Sequence, residues 1–171
     1  MREPSPALGA QRVVFIRHGQ PWTGASDPDL SPAGHAMAAA AAAWAAGLGW
    51  PLARVLHTST LRTRQTAEAL AERIGAPVDA VWAEPLSLED WDLLVEGQRG
   101  PPPFGDRSMP RPAPAPFAYI GHHTTLTFLL QHCAATAPAG VQARAWAAGL
   151  ALERHTSGWV IVAGWPGVAQ P

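Results

Sequence analysis

Short, unbroken apolar runs punctuate this chain, and two of them end in histidine. Val13-Val14-Phe15-Ile16 places four β-formers in a row with no polar alternation, the pattern of a strand buried on both faces, and Arg17-His18-Gly19 follows at once. Arg54 to His57 and Val78 to Trp82 read as second and third strands, and Phe117-Ala118-Tyr119-Ile120 as a fourth that runs into Gly121-His122. Helical patterns separate them. Ser31 is placed as an N-cap with Pro32 at the first helical position, ahead of a nearly pure alanine stretch from Ala36 to Ala46 that ends at Gly47 and Gly49. Thr58 or Ser59 caps a second helix running through Ile74, stopped by Gly75 and Pro77. Thr124 or Thr125 opens a third, through Leu126, Leu129 and Leu130. Ala145 to Glu153 and Gly158 to Ala163 flank a turn and read as a closing antiparallel hairpin, with a helix as the other reading of Ala145 to Glu153.

This alternation of strands and helices predicts an α/β fold: a three-layer α/β/α sandwich with a mostly parallel central sheet and a C-terminal hairpin. The 171 residues suit a single domain spanning 1–171, with a loose N-terminal tail over 1–11. Two segments carry no clear element. Residues 83–99 are acidic and contain Trp91. Residues 100–116 hold seven prolines, which excludes a helix or central strand and predicts an extended loop, either over the active site or a plain spacer.

Composition narrows the function classes. Apolar residues make up 47% and charged ones 15%, as in a globular chain, and the net charge is −1. No basic patch suggests nucleic acid as a partner. No run is long enough to cross a membrane, and Met1 to Arg12 contain no apolar signal core, so the expected location is cytoplasmic. Cys133 is the only cysteine, which leaves no disulfide framework and is read as a core position. Eight tryptophans could serve the core or an apolar cleft. His122, His123 and His132 lack an acid or thiol at metal-ligand spacing, so no metal and no cofactor is expected.

The chemistry concentrates at strand ends, where ligands bind in open α/β sheets. His18 and His122 follow separate strands, Arg17 adjoins the first, Arg62 lies in the first turns of the second helix, and a helix begins just after His122. Guanidinium forks match phosphate oxygens, and helix N-termini offer free N–H groups. The set predicts an anion site for a phosphoryl group, to which His123 adds a backbone N–H. Neighbouring guanidiniums disfavour a further positive charge and hold His18 neutral, with the lone pair that nucleophilic attack requires.

With these residues in place, the chain resembles the histidine phosphatase superfamily, also called the phosphoglycerate mutase-like family. The resemblance rests on Arg17-His18-Gly19, Leu30-Ser31-Pro32-Ala33-Gly34, Arg62-Thr63-Arg64-Gln65-Thr66-Ala67, the acidic box Glu84-Pro85-Leu86-Ser87-Leu88-Glu89-Asp90-Trp91, and Gly121-His122 before an apolar helix. These motifs span residues 13 to about 130, in order. Two departures stand out. Counted from Ser59, Arg62 falls one residue early; the Gln65-Thr66-Ala67 match selects Arg62, whereas anchoring on Ser59 would select Thr63. Gly158 to Trp165 also looks like a family strand with Trp165 in the histidine's place, although no helix has room to follow it.

The resemblance implies covalent catalysis. His18 attacks phosphorus, water later releases phosphate, and Arg17, Arg62 and His122 hold the equatorial oxygens. Glu89 is the expected general acid, with Glu84, Asp90 and Glu96 as rivals. The expected activity is metal-independent phosphomonoester hydrolysis of a phosphorylated small molecule or phosphoprotein. The alternatives are a phosphoglycerate-type mutase and a non-catalytic phospho-ligand binder.

Overall fold

The computed structural model describes residues 11–81, 84–98, 115–135 and 140–170. The expected strand at the start is β1 (Gln11–Arg17), and the expected helix after it is α1 (Pro32–Gly47). There follow β2 (Val55–Thr58), α2 (Leu61–Ile74), β3 (Val78–Val81), α3 (Leu88–Glu96), β4 (Phe117–Gly121) and α4 (His123–His132). The chain closes with β5 (Ala134–Ala135), β6 (Gly149–His155) and β7 (Gly158–Trp165). The loose-tail reading, apart from Gln11, which belongs to β1, and most of the proline-rich one fall outside the described residues, as does Trp82 of the expected third strand.

The strands form a seven-stranded sheet in the order β3-β2-β4-β1-β6-β7-β5. The four strands from β3 to β1 run parallel, as the sequence pattern predicts. β6 and β7 add the antiparallel hairpin, with Gly149 opposite Trp165 and His155 opposite Gly158. The hairpin reading of the last third is thus correct, and β5 is a short edge pairing that the alternation rule did not anticipate.

Alternation along the buried strands divides the core in two. Val14 and Ile16 of β1, with Ala118 and Ile120 of β4, face α1 and α2 through Ala41, Ala42, Ala45, Ala67 and Leu70. The alanine surface of α1 lets two helices and a sheet approach closely. On the other face Val13, Phe15, Phe117 and Tyr119 pack with Trp91 and Val95 of α3 and Leu126, Phe128 and Leu129 of α4. Trp91 centres this half, in edge contacts with Tyr119 at 6.0 Å, Trp159 at 6.0 Å and Phe128 at 6.4 Å. Most tryptophans therefore serve packing, with Trp44, Trp50 and Trp165 against the opposite core.

Two local expectations change. The acidic segment contains α3, whose N-cap Ser87 accepts from the Asp90 N–H at 3.1 Å. Trp91 and Val95 are buried and Leu88 and Leu94 pack partly against the same core, but exposed Leu93 and the acids between them blur that face in the sequence. The N-cap of α2 is Thr60 rather than Thr58 or Ser59, and its side chain makes no cap bond. Asp27 instead reaches over from the β1–α1 loop, accepting from the Leu61 N–H at 3.0 and 3.1 Å. A distant carboxylate at a helix N-terminus leaves no local spacing to read.

Gly19 and Gly34 decide how α1 meets the end of β1. A Cβ on Gly34 would lie 2.0 Å from the Gln20 carbonyl oxygen, and one on Gly19 would lie 2.4 Å from that of Gly34. Ser31 completes the junction by donating its N–H to the Gln20 carbonyl at 2.9 Å and accepting from the Gly34 N–H at 3.0 Å. Replacing Gly34 with alanine is expected to cost about 2–3 kcal/mol, because backbone must move to relieve the clash. Gly47→Ala, with open space around the new methyl, is expected to be neutral or to stabilise by up to about 1 kcal/mol. Urea unfolding of the two variants measures both.

Candidate active site

The pairing of β1 with β4 assembles the site. In that parallel register Arg17 lies opposite Gly121, and the His18 N–H donates to the Gly121 carbonyl at 3.0 Å. His18 and His122, one residue beyond each strand, thereby meet edge to face with ring centroids 5.1 Å apart. A cleft of about 520 Å³ opens on them, lined by Arg17, His18, Arg62, Glu84, His122, His123 and Trp146 among others. Five of the six residues singled out from sequence are therefore together: Arg17, His18, Arg62, His122 and His123.

Glu89 is the exception. It sits exposed on α3 and is not among the residues lining the cleft. Glu84, one of the rivals for the general acid, does line the cleft. Glu84 is held by α4, accepting from the Thr124 hydroxyl at 2.5 Å and the Thr125 hydroxyl at 2.8 Å. The acidic box contains both glutamates, and only the path of the chain into α3 separates them.

His18 is 4% exposed and has a defined protonation pattern. Its Nδ1 lies 2.8 Å from the Gly19 carbonyl oxygen. A carbonyl only accepts, so Nδ1 carries the hydrogen and Nε2 holds the lone pair. Arg62 donates its Nε–H to that Nε2 at 3.3 Å. Burial is the main cause that lowers the His18 pKa to about 3; His122, Arg62 and Arg17 lower it further, and the Gly19 hydrogen bond opposes them. The imidazole is thus neutral and aimed at the cleft.

Arg17 is buried, and no carboxylate among the described residues pairs with it. Its guanidinium donates to the Arg144 carbonyl and stacks over Trp146 at 4.0 Å, while its Nε–H finds no partner among the described residues. Burial, and then the nearby Arg144, lower its pKa to about 10, which leaves it charged at neutral pH. A buried cation with an unmet donor is suited to an incoming anion. Trp146 was not anticipated from sequence; it follows an irregular stretch whose position depends on an isolated bridge to Val168.

Arg62 stands at the start of α2, with Asp27 3.5 Å from its Nη1. The apparent missing residue before it has a structural answer. The hydroxyl that reaches the site belongs to Thr58, not Ser59, and lies 3.0 Å from His122 Nε2. Counted from Thr58, three residues intervene before Arg62, one more than from Ser59. Thr58 donates to the Thr63 hydroxyl at 2.9 Å, and Thr63 in turn donates to the Thr58 carbonyl at 2.8 Å. With its own hydrogen given to Thr63, Thr58 Oγ1 is left to accept from His122. The His122 pKa is lowered, chiefly by burial, with Glu84 acting in the opposite direction.

The remaining motif residues build the frame. Gln65 accepts from the Leu30 N–H at 2.7 Å and donates to Asp29 at 2.8 Å, and Thr66 accepts from the Gly19 N–H at 3.1 Å. Trp165, the rival strand end, lies at the end of β7 opposite Gly149 and packs against the core on the α1 side.

Residues 13–84 match the sequence model of the histidine phosphatase superfamily (branch 1). Solved structures extend the likeness in fold along the chain. The mycobacterial glucosyl-3-phosphoglycerate phosphatase is 19% identical, with a TM-score of 0.61 over 94% of this chain and 100% of that one. A candidate phosphohistidine phosphatase SixA of Agrobacterium tumefaciens is 18% identical, with a TM-score of 0.61 over 91% and 96%. The protein histidine phosphatase SixA in complex with tungstate is 19% identical, with a TM-score of 0.63 over 90% and 95%. No curated protein matches in sequence.

The depressed His18 pKa has a consequence for stability. Unfolded, this imidazole titrates near its ordinary value of about 6.5; folded, it stays neutral down to about 3. The unfolded state therefore binds more protons in that window, and stability is lost as pH falls from about 6.5 toward 3. His18→Gln is expected to lose less stability than wild type between pH 7 and 4.5, by on the order of 2 kcal/mol. Urea unfolding at the two pH values measures the difference.

Proposed function

We propose that this protein is a metal-independent phosphomonoesterase that works through a phosphohistidine on His18. The observation that carries the reading is the neutral Nε2 lone pair of His18, facing a cleft shared with Arg17, Arg62 and His122. Attack of Nε2 on phosphorus breaks the bond to the leaving oxygen and forms an N–P bond. Water then attacks the phosphoenzyme, and phosphate departs. Charge spreads over three equatorial oxygens during each transfer, and fixed donors already in place stabilise it. Arg17 supplies its unmet Nε–H, Arg62 sits beside the nucleophile, and a bound dianion favours the protonated, donating form of His122. The first N–H groups of α4, including that of His123, add partial positive charge.

Glu84 is the carboxylate we assign to protonate the leaving oxygen and later to activate water. It lines the same cleft and is anchored by Thr124 and Thr125. Trp165 ends β7 in the hairpin and is not among the residues lining the cleft, whereas His122 is, which supports the catalytic reading over the non-catalytic one.

His18→Ala is expected to abolish turnover of p-nitrophenyl phosphate, and wild type should trap acid-labile, base-stable label on His18 alone. Activity should survive excess EDTA. Label on another residue, or full activity in His18→Ala, overturns the mechanism. Arg62→Ala is expected to lose about 2–4 kcal/mol of transition-state stabilisation, about a hundredfold to a thousandfold in rate. Arg64→Ala should change little, because Arg64 is exposed and paired with Glu68 at 2.7 Å.

The two glutamates are separated by leaving-group dependence. Glu84→Gln should slow alkyl phosphates more than p-nitrophenyl phosphate, whose leaving group needs no proton, whereas Glu89→Gln should match wild type on both. Equal slowing of the two esters by Glu84→Gln would show that it acts only by holding α4.

A further inference from the structure

A second cleft of about 560 Å³ adjoins the first and shares His123 and Thr124 with it. Its other lining residues are Leu86, Thr127, Phe128, Gln131, Ala143 and Arg144. The two clefts therefore meet at the first turn of α4. Each has the volume of a small-molecule site, far more than a phosphoryl group alone requires.

The chemistry of the second cleft differs from that of the first. Among the described residues no carboxylate lines it. Leu86, largely exposed, and Phe128 give it an apolar wall. Arg144 is exposed, and its side chain has no ion pair among the described residues. Its backbone is nevertheless fixed, because its carbonyl accepts the Arg17 guanidinium. One residue thus links the phosphoryl-binding arginine to a free cation at the mouth of the neighbouring cleft. An exposed cation left unpaired beside an apolar wall favours a ligand that brings its own anion.

We infer that the second cleft holds the leaving group of the substrate, and that this group is an apolar or aromatic body carrying a carboxylate that pairs with Arg144. The preferred substrate class is then a small organic phosphomonoester with a second, carboxylate charge set apart from the phosphoryl group. Arg17 and Arg62 take the phosphoryl end, and Arg144 the distal anion. The inference rests on the phosphatase reading for what enters the first cleft.

The test compares two aryl phosphates that differ only in distal charge: 3-(4-phosphooxyphenyl)propanoate and the corresponding propanamide. The methylene spacer keeps the phenol leaving groups equal, so a difference in kcat/KM reports distal recognition. At low ionic strength the acid should be preferred by about five- to tenfold, within the range of a partly exposed ion pair. Salt should weaken that preference. In Arg144→Ala the acid-to-amide ratio should fall to about one. Because the readout is a ratio within one variant, any shared change in rate cancels. Leu86→Glu, an exposed position on the same wall, should invert the preference by repelling the acid.

An unchanged ratio in Arg144→Ala, or no preference in wild type, overturns the inference while leaving the phosphatase reading intact. If neither ester is hydrolysed, the phosphatase reading fails. The subsite is then judged by calorimetric binding of the two esters: tighter binding of the acid that Arg144→Ala removes upholds it, and equal binding overturns it.

Discussion

Parallel pairing of β1 with β4 is the constraint on which the site depends. The two strands are far apart in sequence, and each runs directly into a histidine. A parallel pair aligns like ends, so both histidines emerge on one edge of the sheet. The register then fixes their separation, since Arg17 lies opposite Gly121 and the next residue on each side is His18 or His122. A shift of one residue would also turn Val13 and Phe15 away from the aromatic core and into the alanine layer. The packing of Trp91, Tyr119 and Phe128 on one face and of small residues on the other thus holds the two imidazoles in place.

Around this pair, the protein supplies positive charge and withholds negative charge. Arg17 is stacked on an indole and bonded to a carbonyl, neither of which neutralises it. Arg62 has Asp27 nearby, but that carboxylate is also engaged by the N-terminus of α2. Glu84 is spread over two threonine hydroxyls. The same burial that strands Arg17 keeps His18 neutral. One packing arrangement therefore produces both an unneutralised guanidinium and an uncharged imidazole. These two properties conflict in water, where an imidazole and its cations would be screened.

Much of the fold was legible because it follows from local rules. Continuous apolar runs marked β1 and β4, shorter β-forming segments between turn residues marked β2 and β3, Ser31-Pro32 marked the start of α1, and His155-Thr156-Ser157-Gly158 marked the hairpin turn. The helix α3 was not legible, since exposed Leu93 and several acids interrupt the inward face formed by Leu88, Trp91, Leu94 and Val95. The cap on α2 was not legible either, because Asp27 acts from more than thirty residues away.

For the site, residue type and chain order were enough to select Arg17, His18, Arg62, His122 and His123, because chemistry at a strand end or a helix start is a local property. The sequence by itself determined that these groups exist at such ends and that the sheet is mainly parallel. Tertiary structure alone decided which carboxylate joins them. Glu84 and Glu89 share one motif, and the turn into α3 carries the second away from the cleft. It also decided that Thr58 rather than Ser59 reaches His122, and that Trp146 and Arg144 stand beside Arg17. Those contacts join segments that share no periodicity or spacing. They exist only because the packed sheet brings the end of β1 against the loop before β6, and no one-dimensional pattern encodes a distance of that kind.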